Sequence, residues 1–404
     1  MSKKVKIILI VLVLVFLVLS FGAGFITSRF VSQGFIPAVS APSETPKELG
    51  TLWEVWDVLH KNYVEREVLD DQKLAPGAIR GLIEALDDPY TTYMDPTTYE
   101  MEIAGFHGKF QGIGAHVNMR DDQLEVIAPI PGTPAEKAGI RPGDAILEVN
   151  GETTRGLGLH EVVLKIRGPE GTPVTLLIRH LGQEESETII IVRAEIDVPS
   201  VRSELQEGIA RIQILYFSQR TGKEVKDALR ELTRQEVNGI LLDLRNNPGG
   251  VLQAVVEVAD EFLDEGIILH QLNNKGDRKT WMAHTGGLAV GLPLAVLVNE
   301  HSASGSEVLA GTFQDRGIPI FGTTTYGKGS VNILYPLGDG SALYLTTARW
   351  LTPKGRLIEG EGLVPDILVE MTEEDLAREI DLPLDQALSY LRDQIRSRST
   401  AALR

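Results

Sequence analysis

The chain has 404 residues, room for two to four domains, and 43% of them are hydrophobic, enough for a sizeable core. Lys and Arg number 39 against 56 Asp and Glu, a formal net charge of −17, which argues against nucleic acid as a partner because phosphate binding needs basic patches. Cysteine is absent, so disulfides, thiolate nucleophiles, Cys-type zinc sites and a lipid-modified N-terminal cysteine are excluded.

The first element is "IILIVLVLVFLVLSFGAGF", residues 7–25, preceded by Lys3, Lys4 and Lys6. It is uncharged and close to the ~20 residues a membrane-spanning helix needs. A cleaved signal peptide has a shorter apolar region of ~7–15 residues, and "AVSA" at 38–41 lies well beyond the run. Residues 1–27 therefore read as a transmembrane anchor, with the lysines in the cytoplasm and the rest of the chain outside it. Residues 28–46, rich in Ser, Pro and Gly, read as a linker.

In "ELGTLWEVWDVLHKNYV", Leu52, Val55, Trp56, Leu59 and Tyr63 recur at helical spacing. "APGAIRGLIEALDDPYTTYMDP" continues as a second helix, expected to stop at Asp87-Asp88-Pro89, since proline disfavours helix in the residue before it. Together these give a helical N-terminal segment over 47–105. From 106 the period changes. Short strands such as "FQGIGAHVNM", "LEVIAPI" and "PVTLLIRH", with short helices at "PAEKAGI" and "LHEVVLKI", predict a β-module over 106–195. From 208 strands alternate with helices, and the strands are nearly continuous apolar runs. That pattern predicts a mostly parallel sheet covered on both faces, within a domain over 196–370. Residues 371–404 form a polar tail of helical pattern. The fold class is α/β and α+β, multidomain.

Sites in such α/β layers form at the C-terminal ends of strands. One strand ends in "LLDLRNNPGG". The Gly249-Gly250 pair there either presents backbone N–H groups to a ligand or only turns the chain. A second strand runs into "NEHSASGSE", where Ser304 and Glu307 have capping-box spacing. Ser304 is thus either a plain N-cap or a serine presented at a strand-to-helix turn, with the Gly305 N–H aimed at a developing oxyanion. The G-x-S-x-G pattern is not matched, because Ser302 stands two residues before Ser304.

A nucleophilic serine needs a base. There are eight histidines. His301 is too close along the chain, while His270 and His284 stay open. The other base is Lys328, in "GTTTYGKGS". This stretch has P-loop spacing, but Gly329 stands where the magnesium-binding hydroxyl belongs, and strands rather than a helix follow. Lysine has an ordinary pKa of ~10.4 and becomes a base only where burial disfavours its charge. Ser-Lys dyads are a known variant of the triad. Flanking glycines would clear space for a peptide backbone.

"VNEHSASGSEVLAGTFQD" followed by "GTTTYGKGSV" resembles the carboxyl-terminal processing peptidases, also called tail-specific proteases, and "DLRNNPGG" is similar to their third motif. "FQGIGAHV" and "PGTPAEKAGIRPGDAILEVNG" resemble a PDZ domain, and "DDPYTTYMDP" resembles the family's N-terminal region. The resemblance spans roughly residues 48–370. It implies an α/β core of the crotonase/ClpP-like kind, Ser304 as nucleophile and Lys328 as base. The oxyanion donors it implies are the N–H groups of Gly305 and of Gly249 or Gly250, with Asp315 as structural support. Family members often carry a glutamine that orients the lysine; Asn332 stands there. Gln111, Gly112, Ile113 and Gly114 would form the PDZ carboxylate loop. Ala115, His116 and Val117 would begin its pairing edge, and the helix 159–166 would flank the side-chain pocket. The resemblance implies neither metal nor organic cofactor. It implies protein or peptide substrates with free, apolar C-termini, cleaved through an acyl-enzyme by a membrane-anchored enzyme facing outward, and leaves an oligomer open. Two other readings remain: an inactive PDZ scaffold, to which Asn332 points, and a non-peptidic acyl hydrolase on the same sheet.

Overall fold

The computed structural model describes residues 46–120, 123–157, 159–372, 375, 378 and 380–402. The predicted anchor, 7–25, and nearly all of the linker lie outside them. Among the described residues no helix is long and apolar enough to cross a membrane. The chain divides into two units: residues up to 78 with the turn 337–340, and residues 79–336 with 341 onward.

In the first unit, helix α1 (Lys47–Asn62) places Trp56 one turn before His60, and the rings stack with centroids 5.2 Å apart. His60 Nε2 bonds Asp71 at 2.8 Å, where helix α2 (Asp71–Glu84) begins.

In the second unit, strand β1 (Thr92–Met94) leads into helix α3 (Pro96–Phe106). Asp95 caps α3 by accepting from the Thr98 N–H at 2.9 Å, and Pro96 opens it. The β-module follows: β2 (Lys109–Gly112), β3 (Ala115–Arg120), β4 (Gln123–Pro129), helix α4 (Pro134–Lys137), β5 (Ala145–Val149), β6 (Glu152–Thr153), helix α5 (Leu159–Ile166), β7 (Pro173–Arg179), β8 (Glu187–Val192) and β9 (Ala194–Asp197). One antiparallel sheet runs β3-β4-β5-β7-β8, and β2 pairs with β9. Alternate residues of the strands, Leu124, Val126, Leu176 and Ile178 among them, are fully buried in the module's own core. Strand β3 ends the sheet, and no strand among the described residues pairs with its outer edge.

The α/β layer comprises β10 (Val201–Gln206), β11 (Ile209–Ile214), helix α6 (Thr221–Leu232), β12 (Gly239–Asp243), helix α7 (Leu252–Phe262), β13 (Ile267–Asn273), β14 (Arg278–Met282) and β15 (Leu294–Val298). After them come helix α8 (Gly305–Asp315), β16 (Ile320–Gly322), β17 (Ser330–Pro336), β18 (Ala342–Leu351), β19 (Ile367–Leu368) and helix α9 (Leu382–Ala402). The main sheet has the order β10-β11-β12-β15-β16-β19 and is parallel from β11 onward. Every residue of β12 and β15 is buried, which explains their unbroken apolar runs. Leu242, Val296 and Val298 pack in the core shared with α6, α7 and α8. Their neighbours Leu241, Ala295 and Leu297 pack with Ala387 and Leu391 of α9. The tail is thus the cover of one sheet face.

Strand β13 departs from the alternating pattern. It leaves the parallel run and pairs antiparallel with β14 and β18 in a second sheet, which also holds β1 and β17. A tight turn, with Gly276 at φ +81°, joins β13 directly to β14, and a short turn permits only an antiparallel partner.

Candidate active site

Three loops meet at the C-terminal edge of the main sheet, where β12, β15 and β16 are consecutive neighbours. The loop after β12 carries Asn247, Gly249 and Gly250. Its Asn247 carbonyl accepts from the Ala303 N–H at 2.9 Å and from Ser306 Oγ at 2.7 Å, and Ser302 Oγ donates to the Leu244 carbonyl at 2.8 Å. The loop after β16 joins them through the Tyr326 N–H to the Ser302 carbonyl, 3.0 Å. The serines flanking Ser304 therefore hold the turn in place, while Ser304 sits at φ 53°, ψ −112°. That strained backbone at a strand-to-helix turn presents a side chain at the sheet's edge.

Glu307 binds the site together. It is fully buried, and its carboxylate accepts from the N–H groups of Ser304 (2.8 Å), Lys328 (2.9 Å) and Gly327 (2.7 Å) and from Thr325 Oγ1 (2.6 Å). The main chains of Ser304 and Lys328 thus converge on one oxygen, Oε2. The capping-box spacing located Glu307 but not this second role. Burial pushes its carboxyl pKa up, against the pull of these four donors.

Burial pushes the Lys328 amine down from its ordinary value, although Glu102, Glu359, Asp88 and Glu307 all favour its charge. Its Nζ lies 5.0 Å from the ring centre of Tyr90 and 5.9 Å from that of Tyr344. No local pattern in the sequence links Tyr90 to Lys328. The glycines beside the lysine answer to the chain itself rather than to a ligand: a Cβ on Gly329 would lie 2.4 Å from Glu359 N, and one on Gly327 3.1 Å from Gly362 N. Asn332 Nδ2 donates to the Tyr90 carbonyl and to Thr346 Oγ1, both at 3.0 Å, and its Oδ1 accepts from Ser330 Oγ at 3.0 Å.

The two glycines after β12 differ. Gly249 gives its N–H to Asn247 Oδ1 at 2.8 Å and lies so close to the serine turn that a Cβ would come within 2.8 Å of Ser304 Cβ. The Gly250 N–H, by contrast, has no partner among the described residues. The position of a Cβ on Gly305 is 3.5 Å from Gly250 N, so the glycine loop packs directly against the start of α8. His270 bonds Thr280 Oγ1 at 2.8 Å, and His284 bonds Asp260 at 2.9 Å; both imidazoles are engaged in other parts of the fold. Asp315, at the far end of α8, accepts from the Lys354 N–H at 2.7 Å and from Arg356 Nε at 3.1 Å.

A groove of about 680 Å³ runs along β3. Ile113, Ala115, Val117, Val163 and Ile166 form its apolar side, with Gln111, Gly112 and Gly114 at its end. Gly114 has φ +79°, and a Cβ there would strike Thr133 at 2.4 Å. The carbonyls of Ile113 and Gly114 accept from Ala135 and Ile130 N–H groups, which turns the loop's acceptors into the module. The opposite side includes Arg245 and Asn246, from the loop that continues to Gly250.

The profile of Peptidase family S41 matches residues 208–369, that of a PDZ domain residues 125–180, and that of the "Activating protease CtpB N-terminal domain" residues 28–98. The chain is 36% identical over 375 residues to the carboxy-terminal processing protease CtpA of Bacillus subtilis, covering 92% of this chain and 79% of that one. It is 35% identical over 388 residues to a carboxy-terminal-processing protease of Bartonella bacilliformis, covering 94% and 88%. Its fold is similar to that of a photosystem II D1 C-terminal processing protease, with TM-score 0.54 and 28% identity over 81% of this chain and 94% of that one.

Proposed function

Because this chain belongs to peptidase family S41 and is a carboxyl-terminal processing serine endopeptidase, we propose that Ser304 and Lys328 are its catalytic dyad. The observation that carries the reading is Glu307: one buried carboxylate holds both backbones beside a lysine whose charge burial disfavours.

The neutral Lys328 amine takes the proton of Ser304 Oγ as the oxygen attacks the scissile carbonyl. The N–H groups of Gly305 and Gly250 receive the oxyanion. The Lys328 ammonium then protonates the leaving amine, and the acyl-enzyme forms. Lys328 next takes a proton from the water that attacks the acyl carbonyl, and passes it to Ser304 Oγ as the acyl–oxygen bond breaks. The PDZ module captures the substrate: a free C-terminus adds as a strand to the open edge of β3, its carboxylate on the loop 111–115. The aliphatic wall of the groove favours an apolar last side chain. Residues 7–25 anchor the chain in a membrane, with the catalytic part on the extracytoplasmic side.

The test is one apolar-ended peptide in two forms, free acid and amide, given to the full chain and to Ser304→Ala. We expect kcat/KM for the acid to exceed that for the amide by about tenfold or more, the scale of a lost charge-assisted contact, and Ser304→Ala to cut neither. Equal rates on the two forms would refute capture through the carboxylate. Cleavage by Ser304→Ala would refute the dyad.

A further inference from the structure

We propose that Tyr90 and Tyr344 form a water-excluding wall around the base amine, and that Asn332 orients that wall rather than the lysine. This rests on Lys328 being the base. The segment carrying Tyr90 precedes β1. It brings the nearer of the two rings to Nζ, 5.0 Å against 5.9 Å for Tyr344.

Tyr90 is fixed from several directions. Its N–H donates to Asp88 Oδ1 at 3.1 Å, and its carbonyl accepts from Asn332 at 3.0 Å. Thr91 Oγ1 donates to Asp88 Oδ2 at 2.6 Å and accepts from the Thr346 N–H at 3.1 Å. Thr92 then pairs with Tyr344 as β1 joins β18. Both amide hydrogens of Asn332 go to this clip, one to Tyr90 and one to Thr346. The shorter side chain therefore acts on Lys328 through Tyr90.

The chemistry requires such a wall. The charges facing the amine are carboxylates from every side: Glu102 on α3, Asp88 before β1, Glu307 on α8 and Glu359 before β19, the last 3.9 Å from Arg349 on β18. All four favour the ammonium, which is no base. Burial opposes them and prevails. A ring face excludes water yet offers the amine no strong acceptor, so the lone pair stays available to Ser304. The phenols are neutral near pH 7, with Tyr344 pushed up to about 12 by burial and Tyr90 also raised.

The test is the pH dependence of kcat/KM for the full chain on a free-acid peptide. If the wall is removed, water reaches Nζ, the ammonium is favoured, and a higher pH is needed to form the base. For Tyr90→Ala we expect the acid-limb midpoint to rise by about one pH unit. Tyr90→Phe should keep the wild-type midpoint, and Asn332→Ala should shift it upward by less. A purely structural loss would lower the rate without moving the midpoint. Acylation of Lys328 by acetic anhydride against pH, followed by mass spectrometry in a Ser304→Ala background, reads the same pKa without turnover. An unmoved midpoint in Tyr90→Ala, or an unmoved acylation profile, would overturn the proposal. A downward shift would too, since the ring would then serve by attracting the ammonium. Full activity in Lys328→Ala would instead overturn the dyad beneath it.

Discussion

Glu307 shows how much a single side chain can organise. Its buried carboxylate meets four donors, two of them from the residues proposed to do the chemistry. Glu307→Gln keeps the shape but turns one acceptor into an amide that points hydrogens at backbone N–H groups. Each donor left unpaired costs about 1–3 kcal/mol, and a shift of about 1 Å in either backbone costs on the order of 10² in rate. We expect kcat/KM to fall by about that factor in a protein whose circular dichroism is unchanged at 25 °C. A rate within threefold of wild type would remove Glu307 from the site. Asp315 is different. Its side chain is 3% exposed and pairs with Arg356. Burial works against its charge, but bonds from Thr352, the Lys354 N–H and Arg356 outweigh that and hold its pKa below the usual value. A folded pKa below the unfolded one adds stability above the unfolded value, about 3.9, which is lost as pH falls through the folded one. Asp315→Asn should therefore lower the urea midpoint at pH 7, by about 1–3 kcal/mol of stability, and the deficit should shrink below pH 4. A deficit that stays constant down to pH 3 would contradict the assignment.

At the scale of elements, the site is a consequence of strand order. Since β12, β15 and β16 are parallel neighbours, the loops after them share one edge. The sequence made two of these loops legible, because a glycine pair and a serine-rich turn each follow an unbroken apolar run. It also made β17 and β18 legible, from their β-branched and aromatic residues. It could not place β13 in the second sheet, since a buried apolar strand looks the same in either sheet. Nor could it pair Tyr90 with Lys328, because only the folded register of β1 against β18 brings them together. The sequence left Gly249 and Gly250 open between turn and donor; in the fold both are closely packed, but only the Gly249 N–H is taken, by Asn247 Oδ1. Gly250→Ala would put a Cβ 2.1 Å from the Phe217 carbonyl oxygen, at φ +137°. The loop must move, so kcat/KM should fall by 10² or more, the scale of a lost oxyanion donor. Binding of a free-acid peptide to the PDZ groove should persist; loss of both would mean that the whole loop collapses.

At the scale of the whole molecule, the tail matters more than its polar pattern suggested. Helix α9 covers Leu241, Leu297 and Phe321, and Arg245 ties Asp381 at its start to Asp243 of β12. Removing residues 381–404 exposes these side chains, at about 1.5–3 kcal/mol each. The shortened chain should aggregate or unfold in milder urea, as size-exclusion chromatography and denaturation would show; an equally stable monomer would contradict the cover. The groove along β3 borders the loop that leads to Gly250. We propose that Ser304 and Lys328 perform the peptide-bond cleavage. It is tested most directly by incubating an unstructured protein with the full chain, with Ser304→Ala and with Lys328→Ala, and following intact substrate with time. Wild type is expected to cut, and both variants to be inactive. Full activity in Lys328→Ala with none in Ser304→Ala would mean that another group is the base, and an active Ser304→Ala would place the nucleophile elsewhere.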